Sequence, residues 1–135
     1  MNASKLLIAV GAAGLIATAS LHLALGLPAL RSAITDGRVL PHPLMHPSEL
    51  QAVWVMLSSH LFLLSGLLLF LLSRGGLSRP VASVIGLVPV LDAILMLAFY
   101  ARFHIAVPLL VVPGLLIMAG AFLLHSPGDP GTRAP

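Results

Sequence analysis

The stretch LQAVWVMLSSHLFLLSGLLLFLLS, residues 50–73, contains no Asp, Glu, Lys or Arg. A helix needs about 20 mostly apolar residues to cross the hydrocarbon core of a membrane, and this stretch is long enough. Because lipid offers the backbone no hydrogen-bond partners, such a segment must satisfy its own N–H and C=O groups as a helix. Residues 50–73 therefore predict a transmembrane helix and decide the class of fold.

Three further stretches have the same character, and they are residues 6–27, 81–101 and 105–124. Lys5 followed by an apolar run is also typical of a secretory signal peptide, but this run is too long and polar His22 interrupts it. We therefore expect the first stretch to be a retained helix. The sequence predicts an all-α, oligomeric bundle of four membrane helices at residues 1–125, followed by a polar tail at residues 126–135.

The composition agrees with lipid as the solvent. Hydrophobic residues make up 59% of the 135 residues and charged residues 8%, against about 25% charged in soluble domains. This excludes a soluble enzyme, a nucleic-acid-binding protein and a disordered chain. The formal charge of +3 comes from seven scattered basic residues, so we expect no nucleic-acid partner. Without cysteine the chain has neither disulfides nor thiolate metal ligands.

The connections between the four stretches are unequal. Residues 28–49 contain several Pro and Gly residues, which predicts an irregular segment from Pro28 onward. Ser48 is the predicted N-cap of the second helix, and Glu49 suits its positive end. Both predicted termini lie on one side of the membrane, and basic residues are slightly more numerous there. That side has Lys5, Arg74, Arg79 and Arg133, whereas the other has Arg31, Arg38 and Arg102, which favours cytoplasmic termini. We expect a bacterial inner-membrane protein.

Ionisable residues at membrane depth are candidates for function, because they are costly there. Asp92 lies near the middle of the third stretch and His60 a little under halfway into the second. A protonated Asp92 can donate a proton or a hydrogen bond to a substrate, or it can simply bond a neighbouring helix. Neutral His60 can ligate haem iron or another metal, or act as a structural hydrogen-bonding group.

One face of the first stretch carries small and polar residues at helical spacing, namely Gly11, Gly14, Thr18 and His22. Small residues let another helix, or a flat cofactor, come close. Both interpretations stay open from the sequence. Trp54 in the second stretch is predicted to lie near the membrane interface.

The third stretch, Gly86-Leu-Val-Pro-Val-Leu-Asp92 followed by Phe99-Tyr100, resembles styrene oxide isomerase, a family of small four-helix membrane enzymes. The second stretch adds Trp54, then Ser59-His60, then Ser65-Gly66, where that family has a Trp, an Ala-His pair and an Asn-Gly pair. The similarity covers most of the first three stretches and is weak in the fourth. Ser65 stands in place of the Asn if Gly66 is aligned with the Gly of that family, and Leu64 does so otherwise.

The resemblance implies an enzyme that rearranges an apolar epoxide to a carbonyl compound. In that family ferric haem b acts as the Lewis acid on the epoxide oxygen, and one His holds the iron. By resemblance, His60 is the iron ligand, Tyr100 and Ser65 orient a small apolar substrate, and Asp92 supports the site. His22 and Trp54 are further candidates for cofactor binding, and a homotrimer with haem between protomers is implied.

Two other functions remain open from the residues alone. A haem-free membrane cyclase or epoxide-opening enzyme would use Asp92 as a general acid. A non-enzymatic accessory or transport subunit would use Asp92 to relay protons or to hold a partner helix.

Overall fold

The computed structural model describes residues 2–38, 46–100 and 105–124, apart from the side chains of residues 99 and 100. Five α-helices and one π-helical turn lie within these ranges: α1 (Ala3–Leu21), the π turn (His22–Gly26), α2 (Leu27–Thr35), α3 (Pro47–Ser73), α4 (Arg79–Tyr100) and α5 (Ala106–Phe122). Because α1, the π turn and α2 are continuous, the described residues form four helices, which confirms the all-α prediction. The predicted tail lies outside the described residues.

Three of the described helices are long and apolar enough to cross a membrane: Ala3–Thr35, Pro47–Ser73 and Arg79–Ala98. Helix α5 is a shorter apolar helix of 17 residues. Large apolar side chains also cover the outer surface of the bundle, including Leu63, Leu67, Leu91 and Leu95. An apolar outer surface of this kind is compatible with lipid but costly in water. It agrees with the three long apolar helices in indicating an integral membrane protein.

The first helix continues past Pro28 to Thr35, so the prediction of an irregular chain from Pro28 is wrong for these residues. Proline inside a helix lacks a donor and clashes with the carbonyl four residues earlier. Here the π turn shifts the bonding pattern first, because the Leu27 N–H bonds the His22 carbonyl five residues back. Pro28 then lies in the first turn of α2, where a missing N–H is tolerated.

The ends of α3 are set by local hydrogen bonds. His46, rather than the predicted Ser48, is the N-cap, since its Nδ1 accepts from the Ser48 N–H and Pro47 occupies the first helical position. Glu49 completes a capping box by accepting from the His46 N–H at 2.8 Å. Gly75 ends the helix with a φ of 68°, a value that glycine adopts without strain.

The four helices do not pack in chain order. Helix α1 packs against both α5 and α3, and α4 packs against α5, so the spatial order is α3, α1, α5, α4. Helices α3 and α4 come close over far fewer residues than these pairs. Neighbouring helices run antiparallel, because contacts that come later on one helix come earlier on the other. The contacts that show this are Gly11–Ile117 with Ile8–Gly120, Gly86–Met118 with Val90–Gly114, and His22–Ser58 with Gly26–Trp54.

The contact between α1 and α5 uses the predicted small-residue face. A Cβ on Gly11 would lie 2.6 Å from Ile117 Cγ1, so only glycine allows the observed approach. The Thr18 hydroxyl lies 2.9 Å from the Leu109 carbonyl and 2.9 Å from the Gly14 carbonyl. Pro113 cannot donate to Leu109, four residues earlier, and Thr18 supplies that missing donor across the helix interface. This arrangement supports the helix-packing interpretation of the face.

Candidate functional site

His60 and Asp92 form a hydrogen-bonded pair between α3 and α4. His60 Nε2 lies 3.1 Å from Asp92 Oδ2. His60 precedes the end of α3 at Ser73 by 13 residues, and Asp92 follows the start of α4 at Arg79 by 13 residues. At about 1.5 Å per residue, each lies about 20 Å from the turn that joins the two helices. The pair therefore lies deep within the membrane-spanning part of the bundle.

The surroundings of the pair are apolar and partly open to lipid. The side chain of His60 is 34% exposed and that of Asp92 is 23% exposed. One turn to either side of His60 on α3 are Met56 and Leu64, while Met96 lies one turn after Asp92. The arrangement thus places two side chains that can exchange a proton next to each other, with apolar side chains one helical turn away.

A second polar cluster joins the π turn to α3, and we call it the His22 cluster: His22, Gly26, Trp54 and Ser58. The His22 and Trp54 rings are stacked with centroids 4.1 Å apart and planes 7° from parallel. His22 Nδ1 lies 2.7 Å from Ser58 Oγ, and Trp54 Nε1 donates to the His22 carbonyl at 3.1 Å. A Cβ on Gly26 would lie 2.6 Å from Trp54 Cζ2, so the indole fills the space beside a glycine.

The structure brings together some of the predicted site residues. His60 contacts Asp92, whereas His22 and Trp54 contact each other. Their proposed role in cofactor binding is not tested and stays a prediction. Ser65 lies about 140° around α3 from His60, is buried, and donates to the Leu61 carbonyl at 2.7 Å. The backbone of Tyr100 ends α4, and its side chain lies outside the described residues.

Ser58 is a functional candidate that sequence reasoning did not single out. Its burial and its bond to His22 become visible only when α1 and α3 are packed. A signal was present, because Ser58 follows Trp54 by one helical turn and therefore shares a face with it.

The described residues contain no group of three or more His, Cys, Asp or Glu side chains that could hold a metal ion. Haem needs only one ligand, so we tested His60 against it. Its outer ring nitrogen, Nε2, is taken by Asp92. In this arrangement haem ligation through Nε2 would require His60 to give up its bond to Asp92.

Comparisons with known proteins assign the chain to no family. No family model, curated protein or solved structure matches it. The resemblance to styrene oxide isomerases therefore rests on the residues quoted above.

Proposed function

We propose that this chain is a membrane-embedded isomerase that opens a small apolar epoxide to an aldehyde or ketone, with the His60–Asp92 pair as its acid. The observation that carries the proposal is the 3.1 Å bond between His60 Nε2 and Asp92 Oδ2 deep in the bundle. The resemblance in residues 86–100 supports the epoxide as the substrate class. An apolar epoxide dissolves in lipid and can reach the exposed side of the pair from the bilayer.

The pair can supply the proton that such a reaction needs and then recover it. The proton moves from the pair to the epoxide oxygen, and the C–O bond breaks at the carbon that better carries positive charge. A hydride then shifts from the neighbouring carbon to this centre, and the C–O group becomes a protonated carbonyl. Its proton returns to the pair, so the reaction is an isomerisation that consumes no co-reactant. General acid catalysis of this kind contributes about 10²–10⁴-fold in rate.

Exclusion of water explains why the product would be a carbonyl compound. A cation formed in water is captured as a diol before it rearranges. Around His60 and Asp92 the neighbouring side chains are apolar, and the outer surface of α3 and α4 faces lipid. A dry site also strengthens the hydrogen bond that polarises the oxygen.

Other parts of the proposal follow from the resemblance and the charge pattern. Tyr100 and Ser65 would orient the substrate, and the chain would assemble as a homotrimer. Lys5, Arg74 and Arg79 would mark the cytoplasmic side of a bacterial inner membrane. Haem b would be an alternative acid. Haem held by His60 would supply Lewis-acid chemistry instead of a proton, and haem binding stays a prediction.

The test uses styrene oxide with the purified protein in lipid nanodiscs. We expect conversion to the aldehyde. Deuterium placed on the carbon whose C–O bond stays intact should be retained in the product after the hydride shift. Asp92→Asn and His60→Ala should each lower the rate about 100-fold or more. The control is Ser59→Ala, because Ser59 is exposed, adjoins His60 and bonds only its own helix at the Val55 carbonyl.

Three results would overturn the proposal. Full activity in Asp92→Asn would exclude the pair as the acid, and an intense visible absorption band lost in His60→Ala would assign the acid to haem instead. A wild-type protein without turnover that co-purifies with another membrane protein would favour the accessory or transport subunit.

A further inference from the structure

The rotation of α3 about its own axis is set mainly by its packing against one neighbour, the first helix. Helix α3 packs along α1, while its close approach to α4 is short. The buried residues of α3 accordingly form a single face, Ser58, Leu61, Ser65 and Leu68. His60 is outside this face and reaches α4 through its side chain. Whatever fixes the rotation of α3 against α1 therefore also decides whether His60 reaches Asp92.

The His22 cluster fixes that rotation with three different contacts. The stacked rings of His22 and Trp54 set the distance between the helices. The bonds from Trp54 Nε1 to the His22 carbonyl and between His22 Nδ1 and Ser58 Oγ set direction on two successive turns of α3. Gly26 has no side chain, which leaves room for the indole of Trp54 beside it. Apolar packing alone is non-directional, so these hydrogen bonds supply the angular information.

The rotation matters because Ser58 and His60 lie almost opposite each other on α3. They are separated by about 200° around the helix and about 3 Å along it. A side chain about 6 Å from the helix axis moves by about 2 Å when the helix turns by about 20°. The bond between His60 Nε2 and Asp92 Oδ2 is 3.1 Å long, and hydrogen bonds weaken steeply beyond that range.

We propose that His22 is a positioning residue, which acts through Trp54 and Ser58 to hold His60 against Asp92. The π turn belongs to this arrangement, because the His22 carbonyl accepts there both from the Leu27 N–H, five residues on, and from Trp54 Nε1. The catalytic consequence rests on the proposed function, but the effect on the His60–Asp92 bond does not.

The experiment observes that bond directly. The protein is labelled with ¹⁵N in its histidines, reconstituted in nanodiscs and studied by NMR, with the His60 signals assigned by their loss in His60→Gln. Asp92→Leu, whose side chain cannot hydrogen-bond, defines how far the Nε2 signal moves when the bond is broken. His22→Phe keeps a ring for Trp54 to stack on and removes the nitrogen that meets Ser58. Ser58→Ala removes one hydroxyl and is the second variant if His22→Phe fails to fold.

We expect His22→Phe and Ser58→Ala to move the His60 Nε2 signal toward its position in Asp92→Leu. The control is Ser20→Ala, whose hydroxyl bonds only the Ile16 carbonyl of its own helix, and it should leave the signal unchanged. On styrene oxide, Ser58→Ala should lower kcat about 10-fold or more with little change in KM, because the acid is misplaced and binding is not.

An unchanged His60 Nε2 signal in a folded Ser58→Ala variant would overturn the positioning role. Absence of turnover in the wild-type protein would refute the proposed function and leave the NMR comparison standing. The two failures are therefore distinguishable.

Discussion

Thr18 compensates for Pro113, and this can be measured as a coupling between the two residues. The Thr18 hydroxyl is 2.9 Å from the Leu109 carbonyl, which Pro113 leaves without its helical donor. Thr18→Val keeps the shape of the side chain and leaves that carbonyl without this donor in an apolar interface. Interhelical hydrogen bonds in membrane proteins average about 0.6 kcal/mol and reach about 1.7 kcal/mol. We expect a loss of about 1 kcal/mol, since Thr18 is buried.

Pro113→Ala returns an N–H that can bond the Leu109 carbonyl within α5. Thr18→Val should then cost about 0.3 kcal/mol or less, which gives a coupling energy of about 0.7 kcal/mol. Pro113→Ala alone also loses packing against Gly14, and the double-mutant cycle cancels that term.

The assay is unfolding by sodium dodecyl sulfate in mixed micelles, followed by helical circular dichroism. Ser20→Ala serves as the control on the same helix, and it should change the free energy of unfolding little. If Thr18→Val costs the same in the wild-type protein and in the Pro113→Ala variant, the Thr18 hydroxyl does not replace the missing donor and the reasoning is refuted.

Two glycine substitutions test the packing and the turn. Gly114→Ala should destabilise the bundle by about 1–3 kcal/mol, because its Cβ would lie 2.7 Å from the Gly86 carbonyl oxygen. Its control is Gly66→Ala, because a Cβ on Gly66 has no described atom of a neighbouring residue within 4 Å. This variant should be neutral or stabilising in the same detergent titration. Equal losses in the two variants would contradict the close approach of α4 to α5. Gly75→Ala should cost about 1 kcal/mol through its φ of 68°, whereas Gly76→Ala should not, and equal thermal midpoints for the two would contradict this.

The helical class followed from the sequence because hydropathy alone specifies a membrane helix. Residues 50–73 lie inside α3 as observed, and the small-residue face of α1 packs as its spacing allows. The continuation of the first helix through Pro28 did not follow. Proline ordinarily ends a helix, and the π turn that accommodates it depends on packing against Trp54, which a linear pattern does not contain.

The candidate site was predictable in its members but not in its grouping. The cost of polar groups in lipid identifies His60, Asp92 and His22, whereas Trp54 is identified by its interfacial position and by the resemblance. That cost does not say which groups meet. His22 and His60 are the same residue type but meet different partners. The rotation of α3 decides this, because it directs Trp54 and Ser58 toward His22 and directs His60 toward α4.

The position of α5 between α1 and α4 has a consequence for biosynthesis. Helices α1, α3 and α4 leave the ribosome before α5, yet α1 and α4 make most of their close contacts with α5. Until α5 is inserted, Gly11 and Gly86 have no helix to pack against, and Thr18 has no carbonyl of α5 to bond. During translation the inserted helices must wait in the bilayer as loosely associated segments. We therefore expect the packing of the four described helices to be completed only after α5 has been inserted.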